Sequence, residues 1–572
     1  MIRYTVSYQK PHRQFIDFEA EFPHDGSEKL NIQLPAWRPG RYQLGDFAKN
    51  IQQWKAFDKN GNALAFRKKT KDLWEVDAKD LDSVRVEYNY YASELNAGST
   101  FLDGSLFYIN PVNCFLYLPE NQEQEFEINL ELPEDYEVAT GMPKTGKHTL
   151  KAKDTQQVMD CPLMASANLQ HETYEVEGKT YHIWINGSHH LKIENVRDEF
   201  AAFTASQVHA FGGIPCDDYH FLFHFLPYFV YHGVEHCNST VITLGPAPEL
   251  SKKNLYDEFL GISSHELYHT WNIKNIRPAE MMPYDFTKEN YSRLGYVAEG
   301  VTTYMGDQFL IRSGVYNEQE YFGQFNKQLQ KHYDNPGRHN LSVADSSFDT
   351  WLDGYAKGVP GRKVSIYTEG CLIAFICDVK LMQLSGNKKS LDNVMRRLYE
   401  EFGQKEKGYT EADYKRIIEE VGGESFDDIF DNLVWGTEDF TPYLERAMNY
   451  LGWELTEHDN HSFVTSHWGT KLNNEGLVVD IYPESPADLG GLCINDEVVS
   501  VNGFVPDKNE DDWARFVSAD MPRVVVKRRG VLKELMIPVK DEDRFYKVRK
   551  VQVDPESNES QKAAHHFWRH RH

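Results

Sequence analysis

Two histidines and a glutamate fall within five residues near the middle of the chain, in the order His265, Glu266, Leu267, Tyr268, His269. Histidines four positions apart lie on the same side of a helix, so both rings can bind one Zn²⁺. Glu266, between them, can reach a water molecule on the metal and accept its proton. The H-E-x-x-H pattern therefore predicts a zinc hydrolase in which Glu266 is the general base.

A hydrolytic zinc site needs a third protein ligand, because such sites hold the metal with three side chains and leave one position open for water. Glu299 lies thirty residues beyond His269, at the start of the next predicted helix. A helix–loop–helix unit can return a carboxylate to the first helix over that distance. The alternative is that Glu299 only interacts favourably with the dipole at the start of its own helix. The spacing leaves both interpretations open.

Hydrophobic spacing predicts that these residues lie on buried helices. Apolar residues recur at helical intervals before the motif, at Leu255, Phe259 and Ile262. Pro278 prevents this helix from continuing much beyond Asn275. We expect two further helices, one over residues 297–313 and one over 364–384, each ended by a glycine.

Periodicity divides the 572 residues, which are too many for one hydrophobic core, into four segments. Residues 1–175 alternate between apolar and polar side chains, which predicts an all-β domain. The pattern becomes helical over 176–455, the predicted catalytic domain, and strands return over 456–545. Residues 546–572 are polar, contain several histidines, and are expected to form a mobile tail.

Charge and targeting features restrict the partners and the compartment. The formal net charge is −26, from 61 Lys and Arg against 87 Asp and Glu. Such a surface repels phosphate backbones, so nucleic acid is not an expected partner. The chain shows no secretory signal pattern and no apolar run of about 18 residues, so no membrane span is expected. The seven cysteines lack a C-x-x-C pair and are expected to be reduced thiols in a cytoplasmic protein.

The residues around the metal motif resemble a known family. The string HELYHTWNIKNIRP, from His265 to Pro278, is similar to the signature of the glycyl aminopeptidase family of gluzincins, where H-E-x-x-H is followed by W-N-x-K-x-x-R-P. The E-G-x-T-x-Y string that begins at Glu299 resembles the third-ligand motif of that family, and the W-R-P-G-R-Y string that begins at Trp37 also matches. The resemblance implies a thermolysin-like, mainly helical domain in which His265, His269 and Glu299 bind one Zn²⁺ per chain.

The same resemblance implies two residues that act on the substrate. Tyr367, in I-Y-T-E-G, matches a tyrosine of gluzincin aminopeptidases whose hydroxyl stabilises the tetrahedral intermediate. Glu235, in G-V-E-H, matches the glutamate that binds the free α-ammonium group of the substrate. The alternatives are that Tyr367 is a core tyrosine and that Glu235 is an ordinary loop residue. For Trp271, Asn272, Lys274 and Arg277 of the extended signature, we expect bracing roles.

The second β region resembles a PDZ domain of the bacterial protease type. It contains, in order, an S-P-A helix start at Ser485, a G-L turn at Gly491 and a D-x-V-x-x-V-N-G hairpin that begins at Asp496. This resemblance implies a site for the C-terminus of a peptide.

These features predict a multi-domain α+β zinc aminopeptidase that acts on peptides, and the family resemblance implies that glycine or alanine is the favoured N-terminal residue. Two alternatives differ in their substrates. A zinc endopeptidase would cleave peptides whose amino group is blocked. A PDZ-based peptide-binding or chaperone-like protein would have an inactive metal site, but Glu266 argues against it, because a purely structural site has no use for a base.

Overall fold

The computed structural model describes residues 1–356, 358–517, 521–540 and 542–571. In these residues the chain forms an N-terminal β domain, a catalytic region in which helices pack on one sheet, and a small C-terminal PDZ domain. The predicted multi-domain α+β architecture is confirmed. None of the helices in the described parts of the chain has both the length and the apolar character needed to cross a bilayer.

The N-terminal domain contains thirteen strands in its described residues, with two short helices. They are β1 (Ile2–Ser7), β2 (Phe15–Pro23), β3 (Lys29–Gln33), β4 (Ile51–Phe57), β5 (Phe66–Lys68), β6 (Leu73–Asp77), β7 (Ser83–Tyr91), β8 (Phe101–Leu102), β9 (Phe107–Ile109), β10 (Phe126–Leu130), β11 (Glu137–Thr140), β12 (Thr149–Ala152) and β13 (Leu163–Ser166), with helices α1 (Pro111–Cys114) and α2 (Thr155–Met159). The strands form a six-stranded sheet in the order β12-β10-β1-β2-β7-β4, a four-stranded sheet in the order β11-β13-β9-β8 and a three-stranded sheet in the order β3-β6-β5. Alternate residues of β1 (Ile2, Tyr4 and Val6) are buried, as the period of two predicts.

The catalytic region begins with a five-stranded sheet in the order β14-β15-β16-β18-β17, in which the edge strand β17 runs antiparallel to β18. The strands are β14 (Gln170–Val176), β15 (Lys179–Asn186), β16 (Asp218–Phe225), β17 (Val230–Glu235) and β18 (Ser239–Gly245). The helices are α3 (Ile193–Phe211), α4 (Lys253–Tyr268), α5 (Thr302–Arg312), α6 (Glu318–Asp334), α7 (Val343–Phe348), α8 (Thr350–Asp353), α9 (Ile366–Ser385), α10 (Leu391–Glu401), α11 (Glu411–Gly422), α12 (Asp427–Ile429) and α13 (Thr441–Tyr450).

The helices that carry the site differ in detail from the sequence prediction. Helix α4 ends at Tyr268, well before the limit that Pro278 sets, and the backbone forms turns from His269 onward. The second predicted helix begins as a π-helical turn over Tyr296–Val301 and becomes α5 only afterwards. Helix α9 ends as predicted, because Gly386 adopts the left-handed conformation that glycine tolerates best.

The PDZ domain is inserted between two strands that pair with each other. These strands are β19 (Trp453–His458) and β25 (Val548–Val553), which run antiparallel. Between them lie β20 (Thr470–Leu472), β21 (Val478–Ile481), α14 (Pro486–Leu489), β22 (Glu497–Val501), α15 (Glu510–Val517), β23 (Arg523–Arg528) and β24 (Val531–Met536). The domain has its own small core, in which Val478, Val498 and Val524 are buried together.

The prediction of a polar, mobile tail over 546–572 is wrong, because this segment forms β25 and then helix α16 (Glu559–His570). Trp568 is buried in the catalytic core, and its indole donates to the Tyr304 hydroxyl at 2.9 Å. The polar composition masked an apolar face at helical spacing, formed by Ala564, Phe567 and Trp568. Arg571 forms ion pairs with Asp378 and Asp392 at 2.8 and 3.1 Å, so its charge is also satisfied inside the protein.

Candidate active site

The three predicted metal ligands converge on one point. The Nε2 atoms of His265 and His269 lie 3.0 Å apart, and Oε2 of Glu299 lies 3.7 Å from the first and 3.4 Å from the second. His269 and Glu299 are buried, and His265 is partly exposed. Two imidazoles and one carboxylate form the ligand set of a catalytic zinc site, and the exposed side leaves room for a further ligand.

Local backbone features explain why these residues meet. The π-helical turn widens the backbone at Glu299, a distortion that is common at functional sites. Gly300 and Gly370 allow this turn and α9 to pack in direct backbone contact, because a Cβ atom on Gly300 would lie 2.3 Å from Cα of Gly370. The close packing brings the start of α9, which carries Tyr367, beside the metal ligands.

Contacts behind the site orient His269. Its Nδ1 lies 2.7 Å from the carbonyl oxygen of Asn272, so Nδ1 donates the hydrogen bond and leaves Nε2 free for a metal. The side-chain amide nitrogen (Nδ2) of Asn272 donates to the Val297 carbonyl at 2.9 Å and to the Thr302 hydroxyl at 3.1 Å. The asparagine therefore joins the turn after α4 to the segment that carries Glu299.

The other residues of the extended signature also make contacts within the protein. The indole of Trp271 donates to the Gly213 carbonyl at 3.0 Å, and Nζ of Lys274 lies 2.7 Å from Oδ1 of Asp160 in the N-terminal domain. Arg277 stacks on the ring of Tyr284, 4.0 Å from its centre. These contacts agree with the bracing roles expected from the sequence.

Glu266 has one carboxylate oxygen without a partner beside the three predicted metal ligands. It is buried, and its Oε2 has no hydrogen-bond partner within the described residues. A buried carboxylate oxygen without a partner is costly, and a metal with its water would satisfy both this oxygen and the open ligand position. Gly233 of β17 makes room for this side chain, because a Cβ atom there would lie 2.1 Å from Oε1 of Glu266. The residues therefore fit a hydrolytic zinc ion.

The charges of the site favour a cation between the ligands. Burial acts to raise the pKa of Glu299, but hydrogen bonding to His265 and His269 more than offsets it and holds that pKa well below its usual range. Burial opposes the charged form of His269, yet Glu299 raises the pKa of this histidine to about 9. Burial, with Glu235 and Glu299 nearby, raises the pKa of Glu266 well above its usual range. A divalent ion would offset the negative charge of these carboxylates and the cost of burying that charge.

Glu235 lies at the end of β17, buried beside the metal ligands. One oxygen of Glu235, one of Glu266 and a ring nitrogen of His269 all lie within 4.8 Å of one another. No ion pair with Lys or Arg within 4.0 Å is formed by Glu235 in the described residues. The interpretation of Glu235 as an ordinary exposed loop residue does not fit this position.

Tyr367 lies at the opening of the site. It is the second residue of α9, and its ring centre lies 6.4 Å from that of His265. The residue is 39% exposed, so it does not behave as a core tyrosine. Its position near a metal ligand, with an accessible side chain, supports the substrate-directed role.

The N-terminal domain contributes residues whose roles the sequence did not reveal. The W-R-P-G-R-Y string extends from that domain into the site, where the Tyr42 hydroxyl donates to Oε1 of Glu299 at 3.2 Å. Gly40 packs on Glu235, and a Cβ atom there would lie 2.4 Å from its Oε2. Arg38 is buried close by, with its guanidinium against Gly98. The string was recognised as a family match, but nothing local in it indicates a contact more than 250 residues away.

A second group of possible ligands lies elsewhere, on strands β15 and β16. Ligand atoms of His182, Asp218 and His220 fall within 4.8 Å of one another. The rings of His182 and His220 are stacked 4.4 Å apart and only 5° from parallel. Ring-nitrogen lone pairs lie in the ring plane, so those of stacked rings point alongside each other rather than toward one ion. We assign no metal to this group.

Comparisons with known proteins agree with this geometry. Residues 3–167 match the Peptidase M61 N-terminal domain family, residues 258–373 match the M61 glycyl aminopeptidase family, and residues 477–528 match the PDZ domain family. The resemblance to the M61 glycyl aminopeptidase family is confirmed by the matches of these two peptidase domain models. It is a zinc metallopeptidase of the aminopeptidase type with a PDZ domain, as predicted. These matches favour the enzyme over the alternative of a non-enzymatic peptide-binding protein.

Solved structures resemble this chain to different degrees. An aminopeptidase N family protein from Idiomarina loihiensis superimposes with a TM-score of 0.91 at 24% identity, covering 99% of this chain and 100% of that one. An M1 zinc metallopeptidase from Deinococcus radiodurans is more distant, with a TM-score of 0.47 at 12% identity, covering 77% of this chain and 94% of that one. No curated protein sequence shows significant similarity to this chain.

Proposed function

We propose that this M61 peptidase removes single small residues, glycine or alanine, from the N-termini of peptides. The observation that carries this proposal is the position of Glu235, buried within 4.8 Å of both Glu266 and His269. A carboxylate at this distance from the reacting centre can bind the α-ammonium group of a substrate whose first peptide bond lies at the metal. An internal peptide nitrogen carries no charge and gains nothing from such a partner.

The residues of the site fit the roles required for hydrolysis. His265, His269 and Glu299 would hold one zinc ion per chain, which when bound lowers the pKa of water and polarises the scissile carbonyl. Glu266, with its free Oε2, would accept the proton of the attacking water and transfer it to the leaving amine. Tyr367 would donate a hydrogen bond to the negative charge that develops on the carbonyl oxygen of the scissile bond.

Crowding around Glu235 supports a preference for a small first residue. Gly40 lies against its carboxylate, and Arg38 is buried nearby. A substrate whose ammonium group contacts Glu235 must place its first side chain close to the segment that contains Arg38 and Gly40. We therefore expect glycine and alanine to fit and large aromatic residues to be hindered.

The PDZ domain would bind the C-terminus of a peptide, and the resemblance of its hairpin and helix start to bacterial protease PDZ domains supports this role. The catalytic unit is proposed to comprise residues 176–455 together with β25 and α16, which complete its core. The PDZ-like unit occupies residues 456–545.

A double-mutant cycle between enzyme and substrate tests the aminopeptidase proposal. Free and N-acetylated alanyl and glycyl anilides would be hydrolysed by the unaltered chain and by Glu235→Ala. Each single change should lower kcat/KM by thirty-fold to a few thousand-fold, because losing a buried charge-assisted contact costs about 2–5 kcal/mol. The two changes together should add little, since both delete one interaction.

Glu249→Ala provides the matched control, because Glu249 forms an ion pair with Lys252 at the surface and its side chain is half exposed. It should leave the cycle unchanged. Efficient cleavage of the N-acetylated substrates by the unaltered chain would overturn the proposal and favour an endopeptidase.

A further inference from the structure

Three exposed aromatic side chains lie at the start of β17, the strand that ends at Glu235. Phe229 is 82% exposed, Tyr231 is 48% exposed, and Tyr228, next to Phe229 in the chain, is 57% exposed. Neither tyrosine hydroxyl has a hydrogen-bond partner among the residues that the structure describes. Large apolar side chains that are exposed together commonly mark a binding surface.

This aromatic surface begins on the same face of β17 as the groups of the active site. Side chains alternate along a strand, so Tyr231, Gly233 and Glu235 lie on one face. A Cβ atom on Gly233 would lie 2.1 Å from Oε1 of Glu266, so this face is turned toward the proposed general base. Phe229 directly precedes the strand, two positions before Tyr231. The aromatic side chains therefore extend the surface of the active site along β17.

One edge of β17 is available to an extended peptide. In the described residues this strand lies at the end of its sheet and pairs with β18 alone. An unpaired strand edge can form backbone hydrogen bonds with an added chain. A substrate whose ammonium group is bound at Glu235, at the C-terminal end of β17, would pair antiparallel to the strand and run toward Tyr231. This direction rests on the proposed aminopeptidase function.

Strand geometry indicates which substrate residues reach the aromatic side chains. Tyr231 lies four residues before Glu235, and Phe229 lies six residues before it. Each residue of a strand advances about 3.3 Å, so these positions are about 13 and 20 Å from the level of Glu235. A dipeptide is too short to reach them.

We infer that Tyr228, Phe229 and Tyr231 bind a large apolar or aromatic side chain of the peptide substrate, about four to seven residues from its N-terminus. Aromatic rings gain free energy from packing on one another in addition to that from burying their area. The preferred substrates are therefore peptides with a small first residue and an aromatic or aliphatic residue further along the chain.

Heptapeptides of alanine and serine that begin with two alanines and carry one phenylalanine, placed in turn at each position from the third to the seventh, test this inference. Release of the first alanine by the full, zinc-loaded chain is measured. The peptides are amidated at the C-terminus, so binding of a free C-terminus by the PDZ domain does not contribute. We expect kcat/KM to be at least about tenfold higher with phenylalanine at one or two of the later positions than with none.

Substitutions in the aromatic surface should reduce this preference, which is a ratio of two kcat/KM values from one preparation and so is unaffected by partial unfolding. Phe229→Ser and Tyr231→Ser should each lower it at least about threefold. Phe229→Leu should retain most of it, because leucine keeps an apolar side chain at this position. Leu532→Ser is the matched control, since it removes an apolar side chain that is 63% exposed on strand β24 of the PDZ domain. It should leave the preference unchanged.

Equal kcat/KM for all heptapeptides would overturn the inference, as would full preference in both Phe229→Ser and Tyr231→Ser. The dipeptide Ala-Ala does not reach the aromatic side chains, so it tests the aminopeptidase proposal separately. If N-acetylated Ala-Ala were cleaved as well as the free dipeptide, that proposal would fail, whatever the heptapeptides show.

Discussion

The hydroxyl of Tyr42 donates a hydrogen bond to Oε1 of Glu299, so a residue of the N-terminal β domain holds the carboxylate that completes the metal site. Glu299 turns its other oxygen, Oε2, toward His265 and His269. Groups that orient a metal ligand from behind typically alter affinity for the metal when removed. The N-terminal domain therefore contributes directly to the proposed zinc site.

His269→Ala should remove the zinc ion, because the remaining two ligands cannot hold it tightly. Elemental analysis of the folded, dialysed variant measures the metal directly. His182→Ala is the control, since His182 belongs to the stacked histidine group to which no metal is assigned. Full occupancy in His269→Ala, or loss of zinc in His182→Ala, would contradict the assignment.

Glu266→Gln should retain zinc and lose nearly all turnover. The amide has the shape of the carboxylate but cannot accept a proton, and a general base contributes about 10²–10⁴-fold. Metal content and kcat are measured on the same preparation. If this variant kept more than about a tenth of the original kcat, another residue would have to be the base.

Tyr42→Phe and Tyr367→Phe should have different effects, although each removes one hydroxyl near the site. Tyr42→Phe should weaken zinc binding by about 10–100-fold, with kcat largely restored at saturating zinc. Tyr367→Phe should leave zinc affinity unchanged and lower kcat far more than it alters KM, because its hydroxyl acts in the transition state. Competition with a chelator gives the affinities. An unchanged kcat in Tyr367→Phe would return this residue to a packing role.

The raised pKa of Asp307, on helix α5, should make the free energy of unfolding depend on pH. Burial, with Glu258 nearby, raises the pKa of this carboxyl to about 7. Its unfolded value is about 3.9, so between these values the folded state holds a proton that the unfolded state has lost. This group therefore contributes less stability as pH rises from about 4 to 7.

Asp307→Asn should remove that dependence and increase the free energy of unfolding at pH 8 by about 2 kcal/mol, a value reduced from the full shift because the residue is partly exposed. Urea denaturation at several pH values measures it. Asp135→Asn, an exposed substitution, should show no such change. Equal stabilisation at pH 4 and pH 8 would show that charge at Asp307 is not the cause.

How much could be predicted from the sequence depended on the range of the interactions. The proximity of His265, Glu266 and His269 could be predicted because they are near neighbours along the chain, and the end of α9 could be predicted because Gly386 imposes it. The family resemblance added Glu299, but no periodicity predicts the π-helical turn that carries it.

Contacts between distant segments could not be predicted in the same way. The role of Tyr42 depends on how two domains dock, and no local pattern encodes that arrangement. The C-terminal segment gave a weak signal that was available: Asn558 and Gln561 form a capping box, and Trp568 lies on an apolar helical face. The segment is polar on average, so its apolar helical face is visible only in the spacing of the residues and not in their overall composition.

The insertion of the PDZ domain between β19 and β25 has a consequence for synthesis of the protein. The catalytic core includes Trp568 and Arg571, which follow the PDZ domain in the chain. While the ribosome is still translating the PDZ domain, the catalytic region lacks the strand and helix that complete it. Domains generally fold in order as the chain emerges, but this catalytic core must wait for the loop of about 90 residues between β19 and β25 to close. A PDZ domain that folds slowly or fails to fold would thus delay an active peptidase through connectivity alone, even if it never contacted a substrate.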